Sequence, residues 1–363
     1  MRWPWTRRAS GDMLVVSWSG GALAFVRAAS RPDGSYEVRQ FGVQRQGADS
    51  PEDFARRLQG LGLKGRGATA MLRPEQYQLL QVDAPAVPPE ELRSAARYLI
   101  REMLDTHVDD VTLDVMRVGD GSEKTGSHLF VVAAQNSVVR SVLDLSQTLQ
   151  WDLSVVDIQE TAQRNLLSAV ARRDGRPDRA NAALVLGDER QAVLTISANE
   201  ELFYTRRLEL PEGFMADSWG QGVAAAVAQP EAYAPVEEYV PDYNVGGVSH
   251  GTDYTGASAA SGPRGADEGA GGDDQAQRFL VEVQRSLDLW DRSWSSRPLN
   301  GVFVHAGERT GELAQWLGRE LGQAVLPLDV TPFFSGFEGG SAQDRALCWP
   351  LLGALMRTEV RKL

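Results

Sequence analysis

The chain predicts a two-lobed α/β protein that carries a small inserted α+β unit. Three observations lead there. A triplet of apolar, β-rich segments separated by turn residues occurs twice, once within residues 13–43 and again within 182–210. Alternating helical and extended patterns follow each triplet, the order that builds layered α/β lobes around a cleft. Between the two triplets lies a block that reads strand, helix, strand, strand, helix, strand. A length of 363 residues suits two compact units. Hydrophobic residues at 42% with charged ones at 24% are ordinary globular usage, so wholesale disorder is excluded.

The first lobe opens with strands at 13–18, 22–29 and 36–43, with Gly20-Gly21 and Arg31-Pro32-Asp33-Gly34 as the turns between them. Ser50 is a helix N-cap and Pro51 a first helical residue. Phe54, Leu58 and Leu61 share one face before glycines at 62, 65 and 67 stop the helix and a strand at 68–72 follows. The inserted unit begins near Tyr77 with a strand at 79–82. Pro88-Pro89 then opens an amphipathic helix on which Leu92, Ala95, Ala96, Leu99, Ile100, Met103 and Leu104 recur at helical spacing. Strands at 111–118 and 129–134, a helix at 138–149 and a strand at 153–156 complete it. Asp157 caps the next helix, with Glu160 three residues on as in a capping box.

In the second lobe, strands at 182–186, 192–197 and 202–210 return, with Asn199-Glu200-Glu201 as a hairpin turn, and a helical stretch at 214–228 follows. Residues 244–275 hold nine glycines, five acidic residues, one arginine and no Leu, Ile, Phe, Met or Trp, so this stretch is expected to be a flexible loop whose removal is tolerated. A helix at 276–294 carries the apolar stripe Phe279, Val283, Leu287, Trp290 and Trp294, a core face. A strand at 299–304, a helix at 310–321, a strand at 324–328 and a helix at 345–357 close the chain. The expected division is a first-lobe core of 1–76 and 157–178, an inserted unit of 77–156 and a second lobe of 179–363. The helix at 345–357 is expected to pack back on the first lobe.

Composition narrows the function. With 37 Lys+Arg against 49 Asp+Glu the net charge is -12, which argues against a nucleic-acid surface. Cys348 is the single cysteine, so no internal disulfide forms and a cytoplasmic location is expected. The longest run free of ionisable or amide side chains, 346–356, is half of what a spanning helix needs. His107, His128, His250 and His305 lie far apart, which gives no zinc signature. Gly247-Val248-Ser249-His250-Gly251 spells a nucleophile-elbow pattern but sits in the glycine-rich stretch without the strand and helix it requires. No GxGxxG or GxxxxGK[ST] motif occurs.

An ordered set of short motifs spans nearly the whole chain. It comprises Val82-Asp83-Ala84-Pro85-Ala86-Val87-Pro88 with Glu90-Glu91-Leu92-Arg93, then Val108-Asp109-Asp110-Val111, Val155-Val156-Asp157-Ile158, Glu201-Leu202-Phe203-Tyr204-Thr205-Arg206-Arg207 and Val283-Gln284-Arg285-Ser286-Leu287-Asp288. This set resembles the actin-like pilus assembly proteins of the PilM and MshI type, related to the cytoplasmic domain of the GspL type. The resemblance implies an actin-like (ribonuclease H-like) two-lobed fold with an inserted α+β subdomain and a cleft for ATP and magnesium. In that cleft it places Ser17, Ser19 and Gly20 of the first hairpin, Gly187 and Asp188 of the second, and Gly307 of the third turn. Ser17 stands where the family has an Asp, Ala24 where a basic residue is usual, and Glu308 adds negative charge beside Gly307. The expected reading is therefore a non-catalytic scaffold with no bound cofactor, nearer the MshI type; the alternative is an ATP-binding ATPase or a kinase-like phosphotransferase.

The resemblance also implies a partner. Proteins of this kind bind the cytoplasmic tail of a PilN- or MshJ-like single-pass membrane protein and link it to the pilus motor ATPase at the inner membrane. GspL-type relatives continue into a membrane helix, whereas this chain ends at Leu363, so the soluble pilus type is expected. The inserted unit and the adjoining first lobe are expected to form the tail's groove, with Arg93, Arg97 and Arg101, four apart on one helix face, as contacts. Residues 1–9, where Arg2, Arg7 and Arg8 flank Trp3 and Trp5, are expected to touch the membrane surface.

Overall fold

The computed structural model describes residues 12–63, 67–119, 128–187, 191–216, 219 and 270–357, the first five of the last span as backbone only. The arm at 1–9, Asp188, the Gly247–Gly251 motif and most of the stretches expected at 214–228 and 244–275 lie outside the described residues. Strands β1 (Asp12–Ser19), β2 (Ala22–Ser30) and β3 (Tyr36–Arg45) form the expected antiparallel meander. Gly20 and Gly21 both take positive φ, +55° and +70°, which a two-residue type I′ hairpin turn requires. Helix α1 (Pro51–Gln59) starts where the capping signals put it, and the Asp53 N–H donates to Ser50 Oγ at 3.1 Å. Strand β4 (Gly67–Leu72) then runs parallel to β1.

The inserted unit contains β5 (Tyr77–Asp83), α2 (Leu92–Leu99), β6 (Val111–Arg117), β7 (His128–Gln135) and α3 (Asn136–Thr148). Its sheet has the order β5-β7-β6. Helix α2 ends a turn earlier than the apolar spacing suggested. Ala96 and Ile100 are buried against the small sheet and Leu104 reaches the same cluster through a non-helical turn, while Met103 is exposed. Strand β8 (Asp152–Ile158) was expected as the last strand of the insertion. It pairs instead with β4, at the edge of the first lobe's sheet, so the insertion closes before residue 152. Sequence order alone does not say which sheet a strand joins.

Helix α4 (Gln159–Arg173) leads to β9 (Ala180–Leu186), β10 (Gln191–Ala198) and β11 (Glu201–Glu209). Asn199 and Glu200 turn the β10–β11 hairpin with φ of +50° and +65°. Helix α5 begins at Ala270 (Ala270–Ser293), inside the stretch read as loop to 275. Its opening Ala-Gly-Gly-Asp-Asp has no large apolar residue, so the stripe that marks the helix in the sequence starts only after it, with Phe279 as its first large member. Then come β12 (Leu299–His305), α6 (Thr310–Leu321), β13 (Val325–Pro327), β14 (Phe334–Ser335) and α7 (Ala342–Leu355). The first-lobe sheet reads β14-β3-β2-β1-β4-β8 and the second β11-β10-β9-β12-β13.

Helices α4 and α7 lie between the two large sheets. One apolar cluster joins Val15, Ala24 and Val26 of the first sheet to Ala183, Val185 and Phe303 of the second through Leu166, Val170, Leu351 and Leu355. Helix α4 is buried from Gln159 to Ala171, as befits a helix with no solvent face. Gly353 is what lets the helices cross, because a Cβ there would run into the Ala162 carbonyl oxygen. Helices α5 and α6 cover the second sheet's other face with Phe279, Val283, Trp290, Leu313 and Trp316.

Candidate functional site

A groove of about 800 Å³ runs between the inserted unit and the first lobe. One wall is β6 at Asp114 to Arg117, the other β8 at Ser154 to Ile158, and Thr161 and Arg164 of α4 lie beneath. Among the described residues both walls are edge strands, β6 paired with β7 and β8 with β4. Each therefore turns one edge away from its own sheet, and on β6 the Val115 N–H donates to Asp114 Oδ1 at 2.9 Å. Val115 and Val155 give the walls an apolar surface. Two ion pairs frame the groove. Arg93 and Asp114 meet at 3.0 Å with both side chains more than half exposed, and Arg357 meets the buried Asp157 at 2.9 Å.

The three arginines assigned to the tail do not act as one face. Arg93 lines the groove. Arg97 donates to the carbonyls of Val108 and Val111 and lies 3.7 Å from Asp109, which makes it a strut inside the inserted unit. Arg101 falls beyond the end of α2, pairs with Glu102 at 3.0 Å and sits 5.5 Å over the Tyr98 ring. Helical spacing aligned them on paper, but the helix stops before the third.

Of the cleft residues of the resemblance, Ser17 and Gly187 line one cavity and Gly307 another. Ser17 is buried, and among the described residues its hydroxyl has no hydrogen-bond partner. It faces a small cavity of about 60 Å³ together with Glu75, Gln159, Gly187 and Gln191. Sites that enclose small ligands typically measure about 300–1,000 Å³. The hairpin that carries Ser17, Ser19 and Gly20 is tied down. Ser19 Oγ donates to Glu75 at 2.9 Å, and the Gln76 amide donates to the Trp18 carbonyl at 2.8 Å. Gly307, with φ +57°, borders a second cavity of about 310 Å³. There the His305 ring stacks on Trp349 at 3.8 Å, and burial pulls its pKa down to about 3, so it is neutral at pH 7. Glu308 pairs with Arg345 at 2.9 Å beside it, so Glu308 and Glu75 each have a protein partner. Among the described residues, the cavity at Ser17 is smaller than a nucleotide needs, and Glu75 and Glu308 put acidic side chains at the two cavities.

Asp157 and Glu160 are not the capping box their spacing suggested. Asp157 is the penultimate residue of β8; its Oδ1 accepts from the Ile158 N–H at 2.9 Å and from the Thr161 hydroxyl. Glu160 is fully buried and joins three parts of the molecule. It accepts from the Tyr77 hydroxyl and from the Arg207 guanidinium at 3.2 Å. Arg207, from the second lobe, also donates to the Pro74 and Tyr77 carbonyls and lies 4.5 Å over the Tyr77 ring. Burial, and then the charge of Glu160, raise the Tyr77 phenol well above its ordinary pKa, so it remains a donor. The sequence gives no local signal of this burial, since Gln159, Thr161, Gln163, Arg164 and Asn165 surround Glu160. Among the described residues no group of three or more His, Cys, Asp or Glu side chains could hold a metal ion, and no helix is long and apolar enough to cross a membrane.

Two lobes sharing two central helices, with an inserted three-stranded unit, define an actin-like protein. The chain is similar to the PilM–PilN type IV pilus biogenesis complex, with 16% identity and a TM-score of 0.61 over 96% of this chain and 98% of that chain. The cytoplasmic domain of EpsL, an inner-membrane component of the type II secretion system of Vibrio cholerae, aligns at 16% identity over 59% and 79% of the two chains with a TM-score of 0.39. A Bacteroides thetaiotaomicron protein with an actin-like ATPase fold aligns at 8% identity over 94% and 96% with a TM-score of 0.43. The first likeness fixes the fold, the actin-like one that the sequence resemblance implied; the two looser ones carry no argument. No protein-family model matches the chain, and no curated protein matches its sequence.

Proposed function

We propose that this protein is a non-catalytic, actin-like scaffold of a type IV pilus inner-membrane assembly complex. In this reading it holds the cytoplasmic tail of a PilN-like single-pass membrane protein and presents it to the motor ATPase. The observation that carries the reading is the groove between β6 and β8. Two facing edge strands with apolar walls suit an extended peptide, which would gain main-chain hydrogen bonds from either edge and side-chain contacts from Val115 and Val155. The likeness to a complex that pairs PilM with PilN gives the peptide its class. The non-catalytic part rests on the tied hairpin, the small cavity at Ser17 and the Glu75 and Glu308 carboxylates.

Calorimetry tests both parts. A tail peptide of a PilN-like protein should bind, and Val155→Glu, which sets a charge on the apolar wall, should weaken it at least tenfold while the thermal midpoint stays within a few degrees. Arg93→Glu should have a smaller effect because Arg93 is exposed at the rim. Absence of peptide binding sinks the scaffold reading. Micromolar, magnesium-dependent ATP binding sinks the non-catalytic one and favours the ATPase alternative.

A further inference from the structure

The groove has a third wall to which the second lobe contributes. Gly119, just past β6, and Glu201, at the start of β11, both line it, one from the inserted unit and one from the second lobe. Beside them the Gly119 N–H donates to the Leu202 carbonyl at 2.8 Å. Gly119 has φ +67°, and a Cβ built on it would lie 2.6 Å from Cε1 of Phe203. That ring has little room to retreat. Trp294 holds it edge-on at 4.9 Å, Trp290 at 6.1 Å, and the Arg297 guanidinium stands 4.8 Å from its centre.

Among the described residues the inserted unit is thus held to the second lobe at two places of different character. At its base, Tyr77 and Arg207 belong to the buried network around Glu160. At the groove, the tie is a backbone hydrogen bond and the face of a glycine against an aromatic ring. A firm base and a light far contact are the parts of a hinge and a catch.

We infer that the Gly119–Leu202 contact is the catch of the groove: closed, it joins the second lobe to the inserted unit across the groove's wall; open, it admits or releases the bound segment. This rests on the groove being the tail site. It makes tail binding sensitive to any movement of the second lobe, with no residue of the interlobe cleft touching the tail.

Thiol labelling tests the catch without a ligand. A cysteine at Val155→Cys faces the groove, and its labelling rate with a bulky maleimide reports access. Cys348 is the built-in control, since it is buried and its thiol is pushed up to about 12, so it labels only when the core opens. Adding Gly119→Ala drives a methyl into the Phe203 ring and should raise labelling of the introduced cysteine at least tenfold while Cys348 stays unlabelled. Adding Phe203→Leu to that pair makes room for the methyl and should bring the rate back to within about threefold of the parent. A rate unchanged by Gly119→Ala overturns the catch. So does equal labelling of Cys348, because the contact would then be a general stability element. A tail peptide of a PilN-like protein should protect the introduced cysteine in the parent; failure to protect sinks the tail reading and leaves the labelling result on the catch standing.

Discussion

Arg207 and Glu160 set the balance of charge at the centre of the molecule. The Glu160 side chain is 1% exposed, so its charge is tolerable only while the guanidinium and the Tyr77 hydroxyl face it. Arg207→Ala should cost about 3 kcal/mol, the low end for breaking a buried pair because Arg207 itself is partly exposed, and Glu160→Gln in the same background should recover part of the loss. Urea titration at pH 7 measures both. His305 gives a second residue-level expectation. Its folded pKa of about 3 lies below the unfolded value of 6.5, so the unfolded chain binds a proton that the folded one refuses. The stability this withholds is intact above pH 6.5 and falls as pH drops toward 3, by up to about 1.4 kcal/mol per unit. His305→Phe keeps a ring against Trp349 and should flatten that share of the pH dependence between pH 7 and 5, read as urea midpoints.

The crossing of α4 and α7 decides how closely the two sheets approach. Asn165 Nδ2 donates to the Gly353 carbonyl at 3.0 Å, and the missing side chain at 353 faces the Ala162 backbone. Because the obstacle is a carbonyl oxygen, trimming a neighbouring side chain offers no relief. Gly353→Ala should therefore cost about 3 kcal/mol, at the upper end of ordinary overpacking, and Ala162→Gly should not rescue it. Thermal and urea midpoints of the single and double variants check this. The α1 cap, both meanders and the α5 stripe were all legible beforehand, since each rests on local spacing and turn chemistry. The end of α2 was not, because Met103 and Leu104 keep helical spacing and only burial shows that one of them faces solvent.

At the scale of the whole molecule, the lobes share a core. The cluster around α4 and α7 draws on both large sheets, and β14, from the second half of the chain, adds to the first lobe's sheet beside β3. The two lobes should therefore unfold together, with tryptophan fluorescence and far-ultraviolet circular dichroism giving one coincident urea transition; two separated transitions would contradict a shared core. The sequence by itself determined the strand triplets, the start of α1, the turns and the actin-like resemblance, because periodicity and turn residues act over a few neighbours. Through the resemblance it also pointed to Ser17 and Gly187, which line one cavity, and to Gly307, which lines another. Only the tertiary structure decided that β8 belongs to the first lobe, that Asp157 and Glu160 face inward, that Arg97 braces its own unit, and that β6 and β8 turn their free edges toward one groove. Each of those depends on which distant segment a side chain or strand edge meets, and that pairing has no local period for a sequence to display.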